Sequence, residues 1–192
     1  MTPQPHRWKV VLLDRDGVLN QEPGPPLTPE EFLWIPQSPE AVARLKTAGM
    51  LVVVVTNQAA IARGRLTESG LQAISEKMQA DLKQAGGSVD AIYHCPHHPD
   101  WDQGQRRSTP QPCSCRKPEP GLLVQAAADL HFSPEEAVLV GDKTSDFAAA
   151  ERFGCPSVGV RTGHGGQDGT VTCEPLRWFP DLAEAVEWIL ST

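Results

Sequence analysis

The stretch Val10-Val11-Leu12-Leu13-Asp14-Arg15-Asp16-Gly17 ends an apolar run in two carboxylates set two residues apart. Other apolar runs end in polar groups too. Leu51–Val55 leads into Thr56-Asn57-Gln58, and Ala137–Val140 into Gly141-Asp142-Lys143 with Asp146 beyond. The run Val89–Tyr93 leads into a loop that finishes in Arg116-Lys117-Pro118. Clustered carboxylates repel one another unless a cation neutralises them. Oxygen donors of this kind suit Mg²⁺, an ion that favours phosphate-bearing partners. Lys117 and Lys143 can balance phosphate oxygens, and Thr56 with neighbouring backbone amides can donate hydrogen bonds to them. Positioning plus charge neutralisation is what phosphoryl transfer requires. Asp14 can then attack phosphorus and form an aspartyl-phosphate. Asp16 projects to the same side and can protonate the leaving oxygen, then activate water. A lone Asp-x-Asp is as readily a cap or a turn; the ordered set of strand-end signals decides for chemistry.

Such residues must be carried by a scaffold. The runs Val10–Leu13, Leu51–Val55, Val89–Tyr93, Ala137–Val140 and Ser157–Val160 predict strands, several of them continuous, as in sheets buried on both faces. Helical segments fall between them. Ser38 is expected as an N-cap with Pro39 behind it and Gly49 past the end. Leu71, Ile74, Met78 and Leu82 share one helical face, closed by Gly86-Gly87. Ser145–Phe153 predicts a further helix closed by Gly154, and Leu182, Val186 and Ile189 mark a C-terminal one. Alternating strands and helices imply an α/β fold, a doubly wound parallel sheet. Ligands of such sheets bind beyond the carboxyl ends of the strands. The expectation is one domain over residues 1–192, without a separate cap.

The chain has 192 residues, 40% hydrophobic and 21% charged, with a net charge of −7. That balance speaks against nucleic-acid or anionic-membrane partners. Without an apolar run of membrane-spanning length or a signal peptide, a cytoplasmic protein is expected. A monomer is expected, because no extensive apolar stripe suggests a partner. Five cysteines should then stay reduced unless they bind metal. Cys95-x-His97 and Cys113-x-Cys115 offer three thiolates and one imidazole, a set that fits structural Zn²⁺. His98 competes with His97 for that role, and His97 is preferred. The zinc would pin the loop 94–116. Cys155 and Cys173 read as packing residues. His6, His94, His131 and His164 read as surface or structural. Arg161-Thr162-Gly163-His164-Gly165-Gly166 reads as a flexible loop, and the place of Arg63 is left open.

Asp14-x-Asp16-Gly17, Thr56-Asn57, Lys117 and Gly141-Asp142 followed by Asp146 resemble, in order, the four motifs of the haloacid dehalogenase (HAD) superfamily. Cys95-Pro96-His97-His98-Pro99, Cys115-Arg116-Lys117-Pro118 and Ile61-Ala62-Arg63-Gly64 narrow the likeness. They resemble the D-glycero-D-manno-heptose-1,7-bisphosphate 7-phosphatase family, in the capless, histidinol-phosphatase-like subgroup. The resemblance implies a phosphoric monoester hydrolase that removes the 7-phosphate on the route to nucleotide-activated heptose for lipopolysaccharide. Histidinol phosphate is the alternative substrate, and a catalytically silent phosphosugar-binding module the alternative of another class. The resemblance implies that Asp14, the Asp16 carbonyl and Asp142 ligate Mg²⁺. Thr56 and Lys117 would hold the phosphoryl group, and Asp146 would orient its neighbours. Arg116 would recognise substrate, with its distal phosphate in view. Lys143 would lie at the phosphate or metal site, while Arg15, Asn57, Gln58 and Ala59 would contact substrate. In this family a His-Gly-aromatic sequence often touches the sugar. Here the place reads Glu22-Pro23-Gly24-Pro25-Pro26, which puts the sugar preference in question while leaving the chemistry intact.

Overall fold

A computed structural model describes residues 7–22 and 24–192. His6 and Pro23 lie outside the described residues. In chain order the strands are β1 (Val10–Leu13), β2 (Leu51–Asn57), β3 (Ala91–Cys95), β4 (Trp101–Asp102), β5 (Gln105–Arg106), β6 (Ala137–Gly141), β7 (Ser157–Val160) and β8 (Trp178–Phe179). The helices are α1 (Ser38–Thr47), α2 (Glu68–Gln84), α3 (Gly121–Leu130), α4 (Thr144–Phe153) and α5 (Leu182–Ser191).

Six strands form one parallel sheet in the order β3-β2-β1-β6-β7-β8. Strand β1 is central. It pairs on one side with β2 (Val10 opposite Leu51) and on the other with β6 (Val10 opposite Ala137). The order therefore turns back between β1 and β6, and their carboxyl ends deliver Asp14 and Asp142. That position is where open α/β sheets open a crevice.

The apolar strands are buried on both faces, which explains why they read as continuous runs rather than alternating ones. Val11, Leu13, Val52, Val54, Val138 and Val140 face a core closed by α1, α2 and α5. Val10, Leu12, Val53, Val55 and Leu139 face a second core closed by α3 and α4. The expected stripe on α2 is buried: Leu71, Ile74, Met78 and Leu82. Gly154 ends α4 in the left-handed region, at φ 95°.

Two local readings are corrected. Ser38 is the first residue of α1 and not its cap. Gln37 takes that place at φ 66° without a side-chain bond, because the Ser38 hydroxyl donates to the Val18 carbonyl at 3.2 Å. Val89 lies before β3, which starts at Ala91, opposite Val53. Helix α3, strand β8 and the hairpin β4–β5 carried no clear signal: α3 is mostly Leu and Ala, and the strands are two residues long.

Between β1 and β2 the described residues form only a 3-10 turn, Pro29–Glu31, and α1. Among the described residues no helix is long and apolar enough to cross a membrane.

Candidate active site

The four strand-end signals meet at one edge of the sheet. Lys117, 3% exposed, is the hub. Its Nζ lies 2.9 Å from Asp14 Oδ1 and 2.6 Å from Asp146 Oδ1, and donates to the Val55 carbonyl at 2.8 Å. Asn57 locks the backbone of Lys117 from both sides: its amide donates to the Lys117 carbonyl and accepts from the Lys117 N–H, each at 3.1 Å. Burial pushes the Asp14 carboxyl up, but the charges of Lys117 and Lys143 outweigh it and hold the group below the ordinary aspartate value. Burial also lowers Lys117, yet Asp14 and Asp146 together keep it above the usual lysine range. The pair is charged at neutral pH.

Asp142 is fully buried. Burial, with Asp14 and Asp146 adding repulsion, pushes its carboxyl up to about 8. Lys143 is its nearest cation, at 3.4 Å, and that lysine is shared with Glu22 at 3.0 Å and the Asp16 carbonyl at 3.4 Å. Oxygens of Asp14, Asp142 and Asp146 lie within 4.8 Å of one another. Asp146 is already committed, to Lys117 through one oxygen and to the Lys143 N–H, at 3.1 Å, through the other. Asp14, the Asp16 carbonyl and Asp142 converge as hard oxygen donors, the last two facing Lys143 only at 3.4 Å. This donor set fits a divalent cation such as Mg²⁺.

These groups open onto a cleft of ≈ 720 Å³, a size suited to a small phosphorylated metabolite. Asp14, Asp16, Lys117, Lys143, Asn57 and Ala59 line it, with Glu22 and Pro25 on one side. Arg63, Arg65 and Arg116 also line it. Arg63 thus finds its place, and Arg65 was missed because a lone arginine in a polar loop carries no signal. Gly24 is exposed and outside the lining. Thr56 is buried, and its hydroxyl oxygen accepts from Gln58 at 2.9 Å, which leaves its own O–H free to donate.

Two expected substrate contacts are corrected. The Arg15 side chain is 2% exposed and forks onto Asp16. Gln58 is fully buried, its amide shared between Asp16 at 2.8 Å and Thr56. Both side chains face Asp16 instead of the cleft. The 161–166 loop is likewise no free segment. The His164 N–H donates to Asp142 Oδ2 at 2.7 Å and the Gly166 N–H to the Asp142 carbonyl at 2.7 Å. Thr162 donates to the Gly17 carbonyl at 2.6 Å. Gly163 and Gly17 both have positive φ, and a Cβ on either would collide with the Asp142 carboxylate. His164 reaches the cleft, 3.4 Å from Glu22. Gly163 lets this loop's backbone approach Asp142 closely.

Beside the cleft, Cys95, His97, Cys113 and Cys115 converge. Their donor atoms stand 3.0 to 3.7 Å apart across the contacting pairs, and the cysteines are free thiols. Ligands at about 2.3 Å from a tetrahedral zinc stand roughly 3.7 Å apart, so the cluster fits that ion. Burial and the adjacent thiols push Cys95 up, a cost that a bound cation removes. His98 is turned elsewhere: its Nε2 lies 3.0 Å from Arg63 and its Nδ1 accepts from the Asp100 N–H at 3.1 Å. Cys155 is buried among apolar groups, and Cys173 lies outside both clusters.

A parallel sheet whose switch point carries a buried aspartate–lysine pair, with hard oxygen donors beside it, defines a hydrolase of the haloacid dehalogenase class. Residues 114–185 match the HAD-hydrolase-like family. The chain is 38% identical to a D-glycero-beta-D-manno-heptose-1,7-bisphosphate 7-phosphatase of Bordetella bronchiseptica, over 95% of this chain and 98% of the relative. It is 38% identical to a protein of Photorhabdus laumondii named for the alpha anomer, over 84% of this chain and 87% of the relative. Among solved structures, the B. bronchiseptica D,D-heptose 1,7-bisphosphate phosphatase complexed with magnesium and phosphate superposes with a TM-score of 0.83 at 38% identity, over 95% of this chain and 98% of that one. The chain belongs to the D-glycero-D-manno-heptose-1,7-bisphosphate 7-phosphatase family.

Proposed function

We propose that this chain hydrolyses the 7-phosphate of D-glycero-D-manno-heptose 1,7-bisphosphate through a phospho-Asp14 intermediate, in the cytoplasm, as a single domain and a monomer. The observation that carries the chemistry is Asp14: buried, held ionised by Lys117, and open to a cleft that arginines also line. The names of its relatives carry the sugar.

Lys117 and the free O–H of Thr56 hold the phosphoryl group against Asp14. The Asp14 carboxylate attacks phosphorus, and the bond to the sugar oxygen breaks. The electron pair leaves on that oxygen, which takes a proton from Asp16. Asp16 then removes a proton from water as the water oxygen attacks the phosphoaspartate, which releases Asp14 and inorganic phosphate. Mg²⁺ held by Asp14, the Asp16 carbonyl and Asp142 supplies neutralisation of the phosphoryl oxygens. Arg116, joined by Arg63 and Arg65, faces the distal phosphate, while Glu22 and Pro25 face the sugar. Zn²⁺ on Cys95, His97, Cys113 and Cys115 fixes the loop that carries Arg116 and Lys117.

The test is phosphate release with Mg²⁺ from both heptose 1,7-bisphosphate anomers and from histidinol phosphate at matched concentrations, with Asp14→Asn alongside. Release from a heptose anomer, abolished in Asp14→Asn, is expected. Preference for histidinol phosphate would move the substrate and keep the mechanism. Full biological activity in an Asp14→Asn chain without turnover would instead make the protein a binding module.

A further inference from the structure

The acid–base carboxylate of this mechanism is gripped by residues that the reaction has not so far used. Asp16 Oδ1 accepts from Arg15 Nε at 3.1 Å, from Arg15 Nη2 at 2.9 Å and from Asn20 Nδ2 at 3.1 Å. Asp16 Oδ2 accepts from Arg15 Nη2 at 3.1 Å and Gln58 Nε2 at 2.8 Å. Both oxygens of one carboxylate are thus fixed by three side chains from two strand ends. Arg15, Asn20 and Gln58 are each at most 1% exposed, while Asp16 itself lines the cleft.

The grip is seated on a rigid turn. The Arg15 carbonyl accepts from the N–H groups of Val18, Leu19 and Asn20, and the Gly17 N–H donates back to the Asn20 carbonyl at 2.8 Å. The three gripping residues are also imperfectly satisfied. Arg15 Nη1, Asn20 Oδ1 and Gln58 Oε1 are buried and, among the described residues, meet no partner. Native interiors leave few polar atoms in this state, and each exception calls for an explanation. The donors of the same three side chains converge on Asp16.

We infer that Arg15, Asn20 and Gln58 form a positioning clamp that holds the Asp16 carboxyl at the angle needed for proton transfer to the leaving oxygen. This rests on the phospho-Asp14 reading. The clamp touches neither substrate nor the reacting phosphorus. Through Arg15 and Asn20 its effect is confined to steps in which Asp16 moves a proton, since geometry within hydrogen-bond reach governs such transfers; Gln58 also donates to the Thr56 hydroxyl oxygen. Cleavage of an alkyl phosphate requires that proton, because an alkoxide is a poor leaving group. Cleavage of p-nitrophenyl phosphate does not, because the phenolate leaves as an anion.

The measurement is kcat/KM, which for a covalent mechanism reports binding through ester cleavage and excludes the later hydrolysis of the phosphoenzyme. Arg15→Met and Asn20→Ala are compared with the native chain and with Asp16→Asn, on heptose 1,7-bisphosphate and p-nitrophenyl phosphate. The clamp variants should lose about 100-fold on the sugar phosphate, within the range usual for removing an acid–base group. They should stay within a few-fold on the aryl ester. Arg15→Lys, which keeps a cation at that position, should recover part of the loss. Thermal melting of each variant accompanies the kinetics. Equal losses on both esters, or losses that follow the fall in melting temperature, overturn the clamp. If Arg15→Met does not fold, Asn20→Ala with its smaller change makes the same comparison. The underlying reading is judged separately: a native chain that releases no phosphate from either ester removes it, and the clamp with it.

Discussion

Lys117 touches three oxygens at once, and none of the three bonds was visible in the order of the residues. Sequence order gave Asp14, Lys117 and Asp146 as separate signals; only the folded chain brings them within 3 Å of a common nitrogen. Asp142 has the opposite character. It is buried without a cation of its own, and its carboxyl is pushed up to about 8. A folded-state value above the ordinary one means that the fold disfavours the charged form. Without metal, its contribution to stability therefore falls as pH rises from about 4 towards 8. Mg²⁺ requires the carboxylate, so its binding releases that proton and grows stronger over the same window. Melting curves with and without Mg²⁺ between pH 6 and 9 should show a stabilisation by the ion that increases up to pH 8 and then levels off. A constant increment would remove Asp142 from the ligand set. Arg65 belongs to the same scale. Arg65→Ala should raise KM for a bisphosphate several-fold and leave kcat unchanged; an altered kcat would place the arginine at the reacting phosphate instead.

At the level of elements, the continuous strands were legible because sheets covered on both faces need no alternation, and the strand ends pointed at the site. What the sequence left hidden was contact between distant loops. Arg15 and Gln58 looked like substrate residues beside motif aspartates, but their side chains fold back onto Asp16. The 161–166 loop looked free because its glycines have no local partner; their partner is Asp142, about twenty residues upstream. The loop 94–116 joins the 59–66 loop in the same hidden way. The Gly104 N–H donates to the Ala62 carbonyl at 2.9 Å, and the Ala62 N–H to the Pro96 carbonyl at 3.2 Å. Gly64 lies so close to Gly104 that a Cβ there would stand 2.9 Å from the Gly104 Cα. Stripping Zn²⁺ should therefore raise amide exchange in both 94–116 and 59–66, while β1, β2 and β6 stay protected. Exchange confined to 94–116 would show that the two loops are independent. Protein purified without chelator and found free of zinc would discard the ion.

For the molecule as a whole, charge and shape act together. A chain of net charge −7 would repel an anionic sugar phosphate at long range, so attraction has to be local. Arg63, Arg65 and Arg116 provide it within the cleft, together with Lys117 and Lys143. Among the described residues the large exposed hydrophobics are Leu33, Val124 and Leu176, on separate parts of the chain. Sedimentation should return a mass near 20.8 kDa, and a species of twice that mass would end the monomer reading.

The pairing of β1 with β6 has a consequence for how the protein comes into being. Val10–Leu13 lies against Ala137–Val140, so the central strand waits for a neighbour made more than a hundred residues later. A nascent chain that has emerged only as far as β3 holds Asp14 and Asp16 but lacks Lys117, Asp142 and Asp146. It carries the attacking group without the charges that arm it. The site is thus completed only late in synthesis from the N-terminus, and a chain cut short before Lys117 lacks the cation that pairs with Asp14.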